Sequence, residues 1–340
     1  MVQDLLGRHL LTLLDYTPSE ILSLLQLAAQ LKAEKAAGHF TERLRHKNIA
    51  LLFEKTSTRT RCAFEVAAYD EGARVTFLSN SQMGKKESIE DTAKVLGRYY
   101  DGIEFRGFEQ TTVERLAQHA GVPVWNGLTD LYHPTQILAD FLTIQEHLDK
   151  PLDQIKLVYV GDLRNNVAHS LMIGAAKLGM QYAGLGPKAL FASPEVLANV
   201  HDVCPQANIT LTEDHDTALQ NADVIYTDVW VSMGEENQFE TRIKQLKPYQ
   251  VTLDMLKCTG NADTLFMHCL PANHDMQTEV GKMVARTYGL NEMEVTDKAF
   301  RSAHSVVFDQ AENRTHTIKA VMIATLGDSD KLTCWPPSKG

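Results

Sequence analysis

Residue types that can hold an oxyanion gather first at Phe53-Glu54-Lys55-Thr56-Ser57-Thr58-Arg59-Thr60-Arg61, where hydroxyls and two arginines follow an apolar run and open a helical stretch. Helix-start amides carry partial positive charge, hydroxyls add donors, and a guanidinium presents a planar fork matched to phosphate oxygens. The run is a phosphate cradle in physical terms, with an ordinary helix cap and exposed arginines as the alternative. It is not a nucleotide P-loop, because GxxxxGK[ST] is absent. Tyr132-His133-Pro134-Thr135-Gln136 follows, also ahead of a helix. There a histidine can donate to a carbonyl oxygen that is gaining charge, and a glutamine can address an amide from both sides.

Four further clusters lie downstream. Gly161-Asp162-Leu163-Arg164-Asn165-Asn166 ends a strand in paired carboxamides, able to hold a zwitterion or merely to turn the chain. Asp228 closes an apolar strand ahead of Trp230-Val231-Ser232-Met233-Gly234, so its carboxylate can meet an ammonium group. Met267-His268-Cys269-Leu270-Pro271 puts a thiol beside an imidazole, but strand neighbours face opposite ways, which argues against a Cys–His dyad. Asp309-Gln310-Ala311-Glu312-Asn313-Arg314 sets an arginine at a helix start.

The elements that must carry these clusters read as α/β. Thr17-Pro18-Ser19-Glu20 is a capping box with proline at the first helical position, and Ile21, Leu24, Leu25, Ala28 and Leu31 mark one helix face. Short apolar strands are predicted at 48–53, 75–78, 103–105 and 122–125, with helix-like spacers between them. A second series is predicted at 155–160, 181–183, 209–211, 224–227, 265–268 and 306–308. Helical spacing through Ile137, Phe141, Ile144 and Leu148 is broken by Lys150-Pro151, which places a boundary near 150. The expected plan is two domains, each a mostly parallel sheet flanked by helices, with the ligand site in the cleft between them. Residues 1–150 form the first domain and 151–312 the second. A helix at 313–327 packs back on the first domain, and a tail runs over 328–340. Ligands of open α/β sheets collect at the carboxyl ends of strands, where these clusters fall.

With 340 residues, two domains are the natural expectation. The formal charge of −10 argues against nucleic acid or an anionic membrane as the main partner. No apolar run reaches the roughly 18–20 residues of a membrane span, and the N-terminus lacks a basic region followed by an apolar signal core. Cys62, Cys204, Cys258, Cys269 and Cys334 are scattered without a CxxC pair, against a disulfide framework or structural zinc. A reducing, cytoplasmic setting is expected.

Taken in order, Ser57-Thr58-Arg59-Thr60-Arg61, His133-Pro134-Thr135-Gln136, Asp228 with Ser232-Met233-Gly234, and His268-Cys269-Leu270-Pro271 resemble the transcarbamoylase family in its ornithine-using branch, over roughly residues 5–327. The resemblance implies transfer of the carbamoyl group of carbamoyl phosphate to the δ-amine of L-ornithine, giving citrulline and phosphate, with no metal or organic cofactor. It implies that Ser57, Thr58, Arg59, Thr60, Arg61 and Arg106 hold the phosphate, that Arg106, His133 and Thr60 polarise the carbonyl, and that Gln136 takes the carbamoyl amide. Asn166, Asp228, Ser232 and Met233 would hold the amino-acid end of ornithine. Cys269, Leu270 and Arg314 complete the pocket, and Arg106, His133, Asp228 and Cys269 form the catalytic set. Gln82 would reach a neighbouring subunit's site in a homotrimer. The rival readings are aspartate, putrescine or N-acetylornithine as acceptor, and a dinucleotide-binding dehydrogenase, which the missing GxGxxG disfavours.

Overall fold

The computed structural model describes residues 5–79, 81–231 and 235–327. The chain divides into two compact units, one holding residues up to Leu142 and from Glu312 onward, the other Thr143–Ala311. Among the described residues, no helix is long and apolar enough to cross a membrane.

The first unit is built on β1 (Asn48–Phe53), β2 (Arg74–Leu78), β3 (Gly102–Arg106) and β4 (Val124–Leu128), in the order β2-β1-β3-β4. Every pairing is parallel. Parallel neighbours need crossovers, and the helices Thr58–Asp70, Ile89–Tyr99 and Gln110–Ala120 supply them. After Asn48, β1 reads as unbroken apolar residues because a parallel strand is covered on both faces; Ala50 and Leu52 pack with Ile103, Phe105, Leu116 and Val124. Each of these buried leucine, isoleucine, phenylalanine and valine side chains contributes about 1.5–3 kcal/mol relative to exposure.

The second unit repeats the scheme with β5 (Lys156–Val160), β6 (Gln181–Leu185), β7 (Asn208–Thr212), β8 (Val224–Thr227) and β9 (Leu265–His268), ordered β7-β6-β5-β8-β9 and parallel throughout. In both sheets the winding direction reverses once, between β1 and β3 in the first and between β5 and β8 in the second. Open sheets offer a ligand crevice at that point, outside the carboxyl ends of the strands. Those four strand ends lead into Ser57, Arg106, Gly161 and Asp228. Gly161 has φ +134°, a conformation only glycine adopts readily, and Thr227 Oγ1 donates to Val160 O at 2.7 Å, tying the ends of β5 and β8 together.

Two sequence expectations need correction. Residues 306–308 are not a strand. Val306 N donates to Phe266 O, Ser305 makes a single isolated bridge to Phe266, and the helix Val307–Leu326 begins at the next residue. Val306 and Val307 are buried while Phe308 is 69% exposed. The last helix therefore starts six residues ahead of the expected 313. From Glu312 it groups with the first unit: Trp125 Nε1 donates to Thr325 Oγ1 (3.1 Å), Gly7 N to Thr325 O (2.9 Å), and Lys319 Nζ to the carboxylate of Asp70 (2.7 Å). The expected boundary near 150 also differs, since the units divide after Leu142, inside the helix Pro134–His147. Lys150-Pro151 marks where that helix has ended, and a proline break reports the end of an element rather than a change of packing partners.

Candidate active site

In the first unit the cradle is set by a cap. Ser57 is the N-cap of Thr58–Asp70, its Oγ accepting from Thr60 N at 3.2 Å, so both readings of this run hold together. The cap turns Thr60 inward to 1% exposure, where its Oγ1 accepts from Arg106 Nη1 at 3.3 Å and from Arg314 Nη2 at 2.9 Å. Arg314 Nη1 donates to Gln136 Oε1 at 2.9 Å, and Gln136 Nε2 donates to Asp140 Oδ1 at 2.8 Å. Residues separated by as much as 254 positions thus converge on one hydroxyl. His133 is buried beside them, with Thr135 Oγ1 3.4 Å from its Nδ1. Burial, reinforced by the charges of Arg314, Arg106 and Arg59, holds its pKa well below the ordinary imidazole value. A neutral imidazole among three guanidinium groups can donate a hydrogen bond without adding a fourth cation.

Arg61 is not brought into this group. Its Nε donates to Glu65 Oε1 at 2.8 Å, one helical turn on, and its guanidinium lies 3.7 Å from the ring centre of Phe77. The structure therefore does not place Arg61 with Thr60, Arg106 and Arg314: an ion pair and a cation–π contact engage its head. Gln82 is exposed, and its backbone carbonyl accepts from the amides of Lys85, Lys86 and Glu87.

In the second unit Asp228 is 8% exposed, and its Oδ1 accepts from Val229 N at 2.8 Å and from Cys269 Sγ at 3.1 Å. The thiol thus bonds the carboxylate, while His268 Nδ1 accepts from Leu270 N at 2.8 Å and its Nε2 stands 3.4 Å from Glu294 Oε1. Asp228, His268 and Cys269 present donor atoms within 4.8 Å of one another, as do His274, Asp275 and Asp297. In the first set His268 Nδ1 already accepts from Leu270 N, and in the second His274 is paired with Asp297 at 2.7 Å. Leu270 has φ +58° and presents its backbone at the end of β9. Asn166 is the first residue of the helix Asn166–Lys177; the cap is Asn165, whose Oδ1 accepts from Val167 N at 2.7 Å. His169 is buried in the same helix. Ser232 and Met233 lie outside the described residues.

Sequence reasoning missed Asp140, which fixes the orientation of the Gln136 amide, and Glu104, a fully buried carboxyl in β3. A signal for each was present: Asp140 follows Gln136 by one helical turn, and Glu104 interrupts an apolar strand two residues before Arg106.

Comparison with known proteins bears on both halves. Residues 8–146 match a family model described as aspartate/ornithine carbamoyltransferase, carbamoyl-P binding domain, and residues 153–325 match the Asp/Orn binding domain of the same family. A relative from Clostridium perfringens named "Ornithine carbamoyltransferase, catabolic" is 61% identical over 330 residues, covering 96% of this chain and all of that one. The chain belongs to the ornithine carbamoyltransferase family. A Bacillus licheniformis relative of the same name is 58% identical, with 96% and 98% of the two chains covered. The solved ornithine carbamoyltransferase of Pyrococcus furiosus superposes with a TM-score of 0.86 at 42% identity, over 96% of this chain and 99% of that one. The two parallel-sheet α/β units are those of the family.

Proposed function

We propose that the first unit binds carbamoyl phosphate, that the second binds L-ornithine, and that the chain transfers the carbamoyl group to the δ-amine to give citrulline and phosphate. The convergence of Arg106 and Arg314 on Thr60, with Gln136 held by Arg314, carries this reading, since it gathers forked cations and an oriented amide at one buried place. Arg59, Arg106, Ser57, Thr58 and Thr60 take the phosphate. Arg314 aligns Gln136, whose amide addresses the carbamoyl group. His133 and Arg106 stand ready to meet the carbonyl oxygen as it gains charge, and a preplaced donor of this kind is worth roughly 3 kcal/mol.

An alkyl amine has a pKa of about 10.4, and the ornithine δ-amine must lose a proton before its lone pair can attack. A cationic surround favours the neutral amine. The new C–N bond forms and the bond between the carbonyl carbon and the phosphate's bridging oxygen breaks; the electron pair leaves with phosphate, and the amine proton is released. Asp228 receives the α-ammonium of ornithine, with Cys269 and Asn166 beside the chain, and Leu270 supplies its strained backbone to the same pocket. Ser232 and Met233 are assigned to the carboxylate end from the family resemblance. No cofactor enters, because phosphate is already a good leaving group.

The working assembly is a homotrimer in which exposed Gln82 serves a neighbouring subunit's site; exposed Val95 and Tyr99, on the helix after that turn, support a covered face there. The setting is cytoplasmic, consistent with free thiols at Cys62, Cys204, Cys258 and Cys269. The names of the two relatives described above carry the word catabolic, and on that ground we assign this chain to citrulline breakdown in the cell.

The test is citrulline formation from carbamoyl phosphate with ornithine, run beside putrescine, aspartate and N-acetylornithine, together with phosphorolysis of citrulline. Turnover with ornithine alone is expected. Turnover with another acceptor would keep the phosphate half of the assignment and overturn the ornithine half. Sedimentation of an active monomer would remove the shared-site role of Gln82.

A further inference from the structure

Behind the phosphate half-site lies a carboxyl group that the transfer reaction does not use. Glu104 sits at the centre of β3, paired in register with Leu51 of β1 and Trp125 of β4, and is wholly shielded from solvent. Neither of its carboxyl oxygens has a hydrogen-bond partner among the described residues. β4 accommodates it by a register shift: Phe105 pairs with Asn126 and Arg106 with Leu128, which leaves Gly127 as the extra residue. A Cβ at Gly127 would stand 1.8 Å from Glu104 Oε1 and 3.2 Å from the methyl carbon of Thr60. The glycine is there because the carboxyl occupies that space, and the same Cβ would crowd Thr60, the residue on which Arg106 and Arg314 converge.

Building on the phosphate-site reading above, we propose that Glu104 is a positioning residue that sets the charge of this half-site. As the carboxylic acid it leaves both guanidinium charges to the ligand, and as the carboxylate it cancels one of them. The charged groups that act on it are Arg106, from its own strand, and Arg314, from the helix Val307–Leu326. The helix Thr58–Asp70 faces it with uncharged Thr60, β1 with Leu51, and β4 with Trp125 and Gly127. Burial pushes its pKa well above the usual carboxylate range, and the attraction of Arg106 and Arg314 offsets only part of that effect. An ionised carboxylate without a hydrogen bond is costly at such a depth, whereas the neutral acid fills the same volume at much lower cost. The sign follows: burial without a hydrogen bond favours the neutral acid, and Glu104 gains a negative charge as the pH rises through its elevated pKa. That charge sits beside the arginines and weakens anion binding.

The test measures the Kd of inorganic phosphate for the intact enzyme and for Glu104→Gln, an uncharged residue of the same shape, from pH 7.5 to 10. Other ionisations in this range are common to both proteins and cancel in the ratio. The two should agree within about twofold at pH 7.5, and the wild type should then lose at least about tenfold more affinity than the variant, a one-proton dependence worth about 1.4 kcal/mol per pH unit. Parallel curves would overturn the charge-setting role while leaving the phosphate site standing. No phosphate binding by the wild type would overturn the phosphate-site reading and this role with it. In the wild type alone, isotope-edited infrared spectra must show the carbonyl stretch of a protonated glutamic acid at pH 7.5. Its absence would refute the proposal whether or not the variant folds.

Discussion

Replacing Thr60 by valine keeps the shape of the side chain and removes only its acceptor oxygen. That oxygen accepts from Arg314 Nη2 at 2.9 Å and from Arg106 Nη1 at 3.3 Å, and the residue is 1% exposed, so water does not take its place. A hydrogen bond from a charged donor contributes about 1.5–3 kcal/mol. The shorter contact has full strength, while the longer one lies just beyond the usual range for N–H···O and counts for about half. The expected cost is about 2–4 kcal/mol, divided between unfolding free energy and alignment of the two guanidinium heads. If most of it falls on alignment, kcat/KM for carbamoyl phosphate drops roughly 30- to 700-fold, at 1.4 kcal/mol per tenfold. Thr60→Ser, which keeps the oxygen and gives up a methyl, is the control and should retain most of the activity. Urea unfolding and steady-state kinetics on the pair decide the matter. A valine variant that unfolds within about 0.5 kcal/mol of wild type, the range of an ordinary surface change, and keeps kcat/KM within about threefold would refute the reasoning.

Arg61→Ala should leave KM for carbamoyl phosphate within about twofold, because the Arg61 head is engaged by Glu65 and Phe77, whereas Arg59→Ala should raise it at least about tenfold, the loss of one charge-assisted bond. Equal effects in the two variants would contradict the placement of Arg61. Asp228→Asn should raise KM for ornithine about 30-fold or more, as for the loss of a buried charge partner, while KM for carbamoyl phosphate stays put; coupled changes in both constants would argue against separate half-sites. Asp70 accepts from Lys319 and Lys35, each at 2.7 Å. Burial alone would raise its pKa, but the two lysines outweigh burial and hold it below the ordinary carboxylate value. A depressed folded pKa contributes stability above the unfolded value of about 3.9 and loses it as the pH falls through the folded one. Asp70→Asn should therefore cost about 3–5 kcal/mol at pH 7, with the gap in urea midpoints closing below about pH 4. A gap undiminished at pH 3 would refute this.

Much of the architecture was legible because strands and caps declare themselves locally. Asn48–Phe53 and Val224–Thr227 are bounded as the sequence predicts, and the capping box at Thr17 and Glu20 is formed. Val306-Val307-Phe308 misled because three bulky apolar residues fit a strand and a buried helix start equally well, and only burial of the first two distinguishes them. The site was legible by residue type and less so by direction. Arg59 and Arg61 look alike in sequence, yet Glu65 and Phe77 decide where Arg61 points. Glu104 was passed over because a lone acid in a strand carries no motif; its meaning comes from Gly127 and Thr60, neither of which is near it in sequence.

The convergence on Thr60 also bears on how the enzyme is made. Gln136 and Arg314 are 178 positions apart, so a growing chain completes the first sheet long before its phosphate half-site can exist. At roughly 5–20 residues per second, that interval is about 10–35 s of synthesis. Over that time the nascent first unit lacks one of the two guanidinium forks on Thr60 and the Thr325 partners of Trp125 and Gly7. On the site assignment proposed above, competence for carbamoyl phosphate is tied to translation of the last helix, so a ribosome that stalls before it should leave a product that binds this substrate poorly.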